Sequence, residues 1–172
     1  MNRSTRRAVL VLLPAAALSA CGLITTTTTN GVTTITVNVA QLNNWGQAIL
    51  NAGTMLAPLI PGVGPAVMAI LNLVSSDLAA VNKTAGGSVS LTFDSTSVPA
   101  ALTSLLADGQ KLIGTVSPAL PAAASSVATE AQTVVNALQT VVSVLAATLG
   151  SVAAVKPVMT EAQALQVLGV TR

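Results

Sequence analysis

Between Ala8 and Ser76 the chain contains no charged residue, and over all 172 residues charged side chains make up only 7% of the sequence. Globular domains usually carry about 25%. Hydrophobic residues make up 52% of the chain, and in long stretches they recur at every third or fourth position. That spacing is typical of helices with one apolar face. The sequence therefore predicts a mainly helical protein whose helices bury their apolar faces against one another or against lipid.

Four segments have this helical spacing and are predicted as the main helices: 39–56, 66–81, 99–116 and 122–149. Asn38 is the expected N-cap of the first, and Thr96 or Ser97 that of the third. In the fourth, apolar residues repeat in alternating steps of four and three, as in a coiled-coil seam. This seam consists of Val127, Ala131, Val134, Leu138, Val141, Leu145, Thr148 and Val152.

Proline and glycine separate these helices. Three prolines and two glycines between Pro58 and Pro65 predict a break, so the first two helices form a hairpin. The composition of 82–87 predicts a loop. Thr160 is the expected cap of a short helix that begins with Glu161 and ends at Gly169.

The helical spacing also predicts which of three notable side chains are buried and which are exposed. Trp45, the only tryptophan, lies beside the apolar face of the first helix and is predicted to be a core residue rather than part of a ligand site. Asp108 and Lys111 are predicted on the solvated face of the third helix.

Asn30-Gly31 predicts a β-hairpin over 22–39, because a two-residue type I′ turn needs positive φ at both central positions. This turn pairs Thr29 with Val32, Thr26 with Ile35 and Ile24 with Val37. The alternation over 88–94 predicts a third strand with Val89, Leu91 and Phe93 on its buried face. The alternative for the first segment is a threonine-rich tether without a strand pattern.

The first 21 residues have the layout of an export signal. Arg3, Arg6 and Arg7 precede an apolar run over 8–17, which is too short to span a bilayer as a permanent helix. Leu18-Ser19-Ala20-Cys21 follows, and Cys21 is the only cysteine of the chain. The alternatives are an ordinary secreted protein and a cytoplasmic protein.

These residues resemble the signal peptide and lipobox of bacterial lipoproteins. The resemblance implies cleavage after Ala20, a diacylglycerol on the Cys21 thiol, and a mature chain anchored to a cell membrane. Arg6-Arg7 with Leu10 resembles a twin-arginine signal, although Val9 and Val11 depart from that pattern, so the general secretion route stays open. Gly22 is not the aspartate of an inner-membrane retention signal, which favours the outer membrane.

Removal of the signal leaves a nearly neutral chain, with four basic and five acidic residues. With no basic patch and almost no aromatic residues, nucleic-acid binding is not expected. A lone cysteine excludes an intramolecular disulfide. The chain has no histidine, which removes Ser-His triads and most zinc sites and neutral-pH acid–base catalysis.

Five carboxylates are scattered singly along the chain, and the motifs of phosphate, dinucleotide and calcium binding are missing. Serines are plentiful, but a nucleophile needs a base, and only lysines remain for that role. We therefore expect neither an enzyme nor a cofactor or metal protein.

Three functions remain. The first is a lipid-anchored envelope protein with a structural or interaction role, whose partners are the membrane and either a second copy or another envelope protein. The second is a membrane-inserting, pore- or holin-like protein that uses the uncharged segments 52–74 and 131–155. The third is a carrier of an apolar ligand between loosely filled helices.

The expected fold is a bundle of four main helices plus a short C-terminal helix, with a hairpin or three-stranded antiparallel sheet near the start of the mature chain. The expected division is a cleaved signal over 1–20, the lipidated cysteine and hairpin or tether over 21–38, and one α-rich domain over 39–172.

Overall fold

The computed structural model describes residues 24–29, 31–122, 125–150 and 159–170. Within them lie three strands and five α-helices. The strands are β1 (Ile24–Thr29), β2 (Val32–Asn38) and β3 (Ser90–Asp94). The α-helices are α1 (Val39–Leu59), α2 (Gly64–Ala85), α3 (Ala100–Val116), α4 (Ser125–Thr148) and the short α5 (Glu161–Val167), and a 3₁₀ helix covers Ser117–Ala122. This is the mainly helical architecture that the sequence predicts.

The four long helices form a bundle in which α1 packs against α2 and α4, and α3 packs against the same two helices. The short α5 packs mainly on α4. Buried apolar side chains from the sheet, the four long helices and α5 belong to one continuous core. The predicted seam of α4 lies in this core wherever the structure describes it, from Ala131 to Thr148.

Helices α1 and α2 approach closely and run antiparallel. Gly46 lies against Leu78, and Gly53, two turns later, lies against Leu71. The partners on α2 therefore descend as the positions on α1 ascend. The two glycines belong to the apolar face predicted from the sequence, and they leave room for the two leucines.

The sheet confirms the predicted hairpin register. Its strand order is β1-β2-β3, with both neighbouring pairs antiparallel. Thr29 pairs with Val32, Thr26 with Ile35 and Ile24 with Val37. Gly31 has φ 80°, as a type I′ turn requires, while Asn30 lies outside the described residues. On β2 only Ile35 and Val37 are buried, so one face of the sheet covers the bundle.

The third strand joins the hairpin in an antiparallel sheet, as predicted, and its partner is β2. The prediction that Val89 lies on its buried face is wrong. Leu91 and Phe93 are 7% exposed, whereas Val89 is 81% exposed and precedes the strand. The backbone turns at Gly86 and Gly87, which both have positive φ, and β3 starts only after this turn. Val89 therefore lies beyond the part of the sheet that helices cover.

Several helix boundaries differ from expectation. Helix α1 continues through Pro58 to Leu59, although the break was predicted to begin at Pro58, and α2 begins at Gly64 instead of 66. Residues 82–85, predicted as a loop, continue α2 to its glycine C-cap at Gly86. Neither Thr96 nor Ser97 caps α3, because Pro99 occupies the N-cap position. Residues 117–122 form a 3₁₀ helix, and α4 begins at Ser125 rather than 122.

The two other predicted caps are confirmed. The Asn38 side chain accepts hydrogen bonds from the backbone N–H groups of Ala40 (2.8 Å) and Gln41 (3.3 Å). Thr160 forms a reciprocal capping box with Gln163 at the start of α5. Each cap satisfies backbone donors that a helix N-terminus would otherwise leave unpaired.

Candidate functional site

The residues predicted to direct export and lipidation lie outside the described part of the chain. They are Arg6, Arg7, Leu18, Ser19, Ala20 and Cys21. The described chain enters the fold at Ile24, on the edge strand β1, where the described side chains of 25–29 are exposed. The candidate sites that the structure describes are therefore the exposed surfaces of the bundle and its buried polar side chains.

The outward side of α2, here called the α2 outer face, is the least covered long surface of the bundle. It consists of the exposed residues Pro65, Met68, Ala69, Asn72, Leu73, Ser76, Ala79 and Ala80. Met68 is 51% exposed and Leu73 is 47% exposed. None of these side chains from Pro65 to Ala80 is charged, and the exposed Lys83 is the charged residue that follows on the same side of the helix, in its last turn.

Two described helices are long and apolar enough to cross a membrane. In the most apolar 18-residue stretch of α2 only 33% of residues are buried in the fold, whereas for Ala128–Thr148 in α4 the share is 61%. The core of this bundle explains the apolar character of α4. The predicted segment 52–74 is not one helix, because the break between Leu59 and Gly64 divides it.

The carboxylate of Glu161 accepts hydrogen bonds from two buried side chains of α1. Its Oε1 accepts a hydrogen bond of 2.7 Å from the indole Nε1 of Trp45 and another from Nε2 of Gln41. Trp45 is 1% exposed and Gln41 is 2% exposed. The tryptophan is thus a core residue, as predicted, and its N–H finds its partner on α5. This arrangement fixes the C-terminal helix on the bundle and leaves the indole with no free N–H donor for a ligand.

The structure brings Asp77 of α2 and Asp108 of α3 together, although the sequence showed the carboxylates as scattered. Asp108 is 9% exposed, so its predicted place on a solvated face is wrong. Burial raises the pKa of Asp108, the negative charge of Asp77 and a hydrogen bond with it raise this pKa further, and Lys111 lowers it in part. The neighbouring charge of Asp77 thus disfavours the ionised form of Asp108.

Sequence spacing contained a signal for this pair. Asp108 lies three residues after Leu105 and four before Leu112, which are both buried. Asp77 stands in the same relation to Val74 and Val81. Both acidic residues therefore border apolar stripes, and only the pairing of α2 with α3 makes them neighbours.

The described residues contain no group of three or more His, Cys, Asp or Glu side chains placed to hold a metal ion. The aspartate pair is therefore an interhelical carboxyl pair that borders the core.

The chain matches no family model, no curated protein and no solved structure. Its function is therefore inferred from the pattern of its first 21 residues and from the exposed surface of α2.

Proposed function

We propose that this protein is a lipid-anchored protein of the bacterial cell envelope that has a structural or interaction role and no catalytic activity. The residues around Cys21 support the anchor, because three arginines, an apolar run and a lipobox-like tetrapeptide follow one another in the order of a lipoprotein signal. The fold supports a contact role through one observation, the uncovered and uncharged α2 outer face.

A surface of this kind suits association with another apolar or uncharged helical surface. Met68 and Leu73 offer the exposed apolar area, and Asn72 and Ser76 offer hydrogen-bonding groups between them. Opposite charges are not needed to bring the partners together, and few like charges oppose their approach. The partner is either a second copy of the chain or another envelope protein.

The anchor is tested by the intact mass of the protein extracted from membranes. We expect the mass of the chain beginning at Cys21 plus a diacylglycerol, and further acylation adds a discrete increment. A cytosolic protein that retains residues 1–20 would overturn the proposal.

The contact role is tested in cells by a photo-crosslinking amino acid at position 68. Gln110, which is exposed on α3, gives the matched control position. We expect a discrete crosslinked product from position 68 and none from position 110. Equal crosslinking from both positions would speak against a specific partner on the α2 outer face.

Membrane insertion is the second candidate, and the low burial of α2 is the observation that favours it. Against insertion, Asp77 lies within this helix, and an intramembrane carboxylate is costly. A water-soluble thiol reagent added to liposomes that carry a Met68→Cys variant separates the two functions. A contact protein leaves the exposed position 68 open to the reagent, whereas insertion of α2 protects it.

A further inference from the structure

The strand register shows which end of the domain lies next to the entry of the chain. Ile24, Val37 and Leu91 form one row across the three strands. The next row contains Asn38 and Ser90, and beyond it the N–H of Val39 donates a 3.0 Å hydrogen bond to the carbonyl of Val89. Strand β1 therefore begins at the same end of the sheet as Val89.

The spacing of residues and strands gives the distance between Val89 and Ile24. Val89 lies two residues beyond the row of Ile24, or about 7 Å along the strand direction, and two strands across, or about 10 Å. Cys21 precedes Ile24 by three residues, and a segment of that length spans at most about 11 Å. A lipid on Cys21 therefore keeps this end of the sheet close to the headgroups.

The chemistry of this end suits a lipid surface. Val89 is 81% exposed, more than Val32, Met68 or Leu73. It follows the turn at Gly86-Gly87, and these two glycines have no side chains that could cover it. A single apolar side chain at the tip of a turn can enter the boundary between headgroups and acyl chains.

The charges near this end favour anionic headgroups. Lys83 is exposed in the last turn of α2, where its ammonium group can reach lipid phosphates. The carboxylate of Glu161 also lies by the first turns of α1, but it accepts the hydrogen bonds of Gln41 and Trp45. Asp94 is at the opposite end of β3, in the row of Thr34.

We propose that the end formed by Lys83, the Gly86-Gly87 turn and Val89, here called the anchor end, rests on the surface of the membrane that holds Cys21. This inference rests on the proposed lipid anchor. The far end of α1, at Leu59, then stands about 30 Å from Val39 along the helix axis. The α2 outer face then runs up the side of the domain from the anchor end, where protein partners can reach Met68 and Leu73.

The test uses full-length protein expressed in its host, extracted with its lipid and reconstituted in vesicles of phosphatidylcholine and phosphatidylglycerol. Val89→Cys introduces the one free thiol, since the native cysteine is acylated in the proposed form. An environment-sensitive fluorophore on this thiol is then quenched with spin-labelled lipid. Met68→Cys and Ser97→Cys are the matched positions, both exposed in the fold and both away from the anchor end.

We expect several-fold stronger quenching at position 89 than at positions 68 and 97, with a blue-shifted emission at 89 alone. Quenching at 68 that equals or exceeds that at 89 would show that the bundle lies on the α2 outer face and would overturn the inference. Equal, weak quenching at all three positions would overturn it too, because the domain would then stand off the bilayer.

The mass of the labelled protein separates this failure from failure of the proposed function. Lipidated protein with weak quenching at 89 contradicts only the orientation. A chain without lipid on Cys21 contradicts the anchor and, with it, the orientation. Lys83→Gln should reduce the quenching at position 89 when the vesicles contain phosphatidylglycerol and leave it unchanged in phosphatidylcholine alone; the same effect in both would exclude the lysine's role with anionic headgroups.

Discussion

Glu161 shows how much of this fold depends on a single polar side chain. Its carboxylate serves two donors that are almost fully buried, Trp45 and Gln41. Glu161→Ala leaves both without their partner, and each buried unsatisfied group costs about 1–3 kcal/mol. We expect the free energy of unfolding to fall by about 2 kcal/mol or more, measured by denaturant titration, with a shift in the emission of the lone tryptophan.

Two variants control this prediction. Glu161→Gln keeps an acceptor oxygen and should lose less stability than the alanine variant. Glu130→Ala removes an exposed carboxylate from α4 and should change the free energy of unfolding by less than about 0.5 kcal/mol. Equal losses for Glu161→Ala and Glu130→Ala would show that the hydrogen bonds contribute nothing.

Asp108 makes stability depend on pH in a defined direction. Because the pKa of Asp108 is raised in the folded state, the folded protein holds this proton at pH values where the unfolded chain has lost it. The contribution to stability is therefore full below the unfolded pKa of about 3.9 and is lost as the pH rises through the folded pKa. Ionised Asp108 opposes folding through burial and through repulsion by Asp77.

Asp108→Asn is uncharged at every pH and should remove this decline. We expect a higher denaturation midpoint than wild type near neutral pH and a flatter stability curve as the pH rises above about 4. Glu130→Gln, an exposed carboxylate on α4, serves as the control and should keep the wild-type slope. Parallel curves for Asp108→Asn and wild type would contradict a raised pKa at this site.

At the scale of elements, the contact between α1 and α2 depends on two glycines. A Cβ at position 46 would lie 2.6 Å from Cγ of Leu78, and one at position 53 would lie 3.0 Å from Cγ of Leu71. Both distances are too short for carbon atoms, so an added methyl group would displace a leucine or push the helices apart. The spacing of seven residues between the glycines is repeated between the leucines, which fixes the register of the helical hairpin.

Gly46→Ala is therefore expected to destabilise the fold by about 1–3 kcal/mol through overpacking. This loss outweighs the gain of about 0.5–1 kcal/mol that alanine has over glycine within a helix. Gly114→Ala is the matched control in α3, because nothing lies within 4 Å of the added Cβ. It should stabilise the protein by about that smaller amount. Thermal or denaturant unfolding followed by circular dichroism distinguishes the two signs, and stabilisation by both variants would contradict the packing argument.

At the scale of the whole molecule, α4 joins the parts of the core. It packs against α1, α3, α5 and the 3₁₀ helix, and Leu138 at its centre is fully buried. Leu138→Ala should cost about 2–5 kcal/mol, the range for a large-to-small change in a packed core.

Leu73→Ala provides the comparison, because Leu73 on the α2 outer face is 47% exposed. It should change the stability by less than about 0.5 kcal/mol, measured by denaturant unfolding of both variants side by side. A large loss for Leu73→Ala would mean that the face takes part in folding and is not a free contact surface.

Local pattern was sufficient for the elements. Apolar residues in steps of three and four predicted the buried stripes of α1, α2 and α4. The two-residue turn Asn30-Gly31 predicted the register of the hairpin. Boundaries were less well predicted. The end of α2 was placed four residues early, because Asn82 and Lys83 suit a loop by composition while Gly86 sets the real C-cap.

The sequence by itself determined the helical class, the hairpin, two of the helix caps and the apolar stripes, because each depends on residues that are close along the chain. The tertiary structure alone decided that Asp77 meets Asp108, that Glu161 receives the indole of Trp45, that Val89 is exposed, and that α2 keeps an open outer face. These features depend on which helices become neighbours in the bundle. That choice is set by the packing of the whole core, which no local spacing encodes.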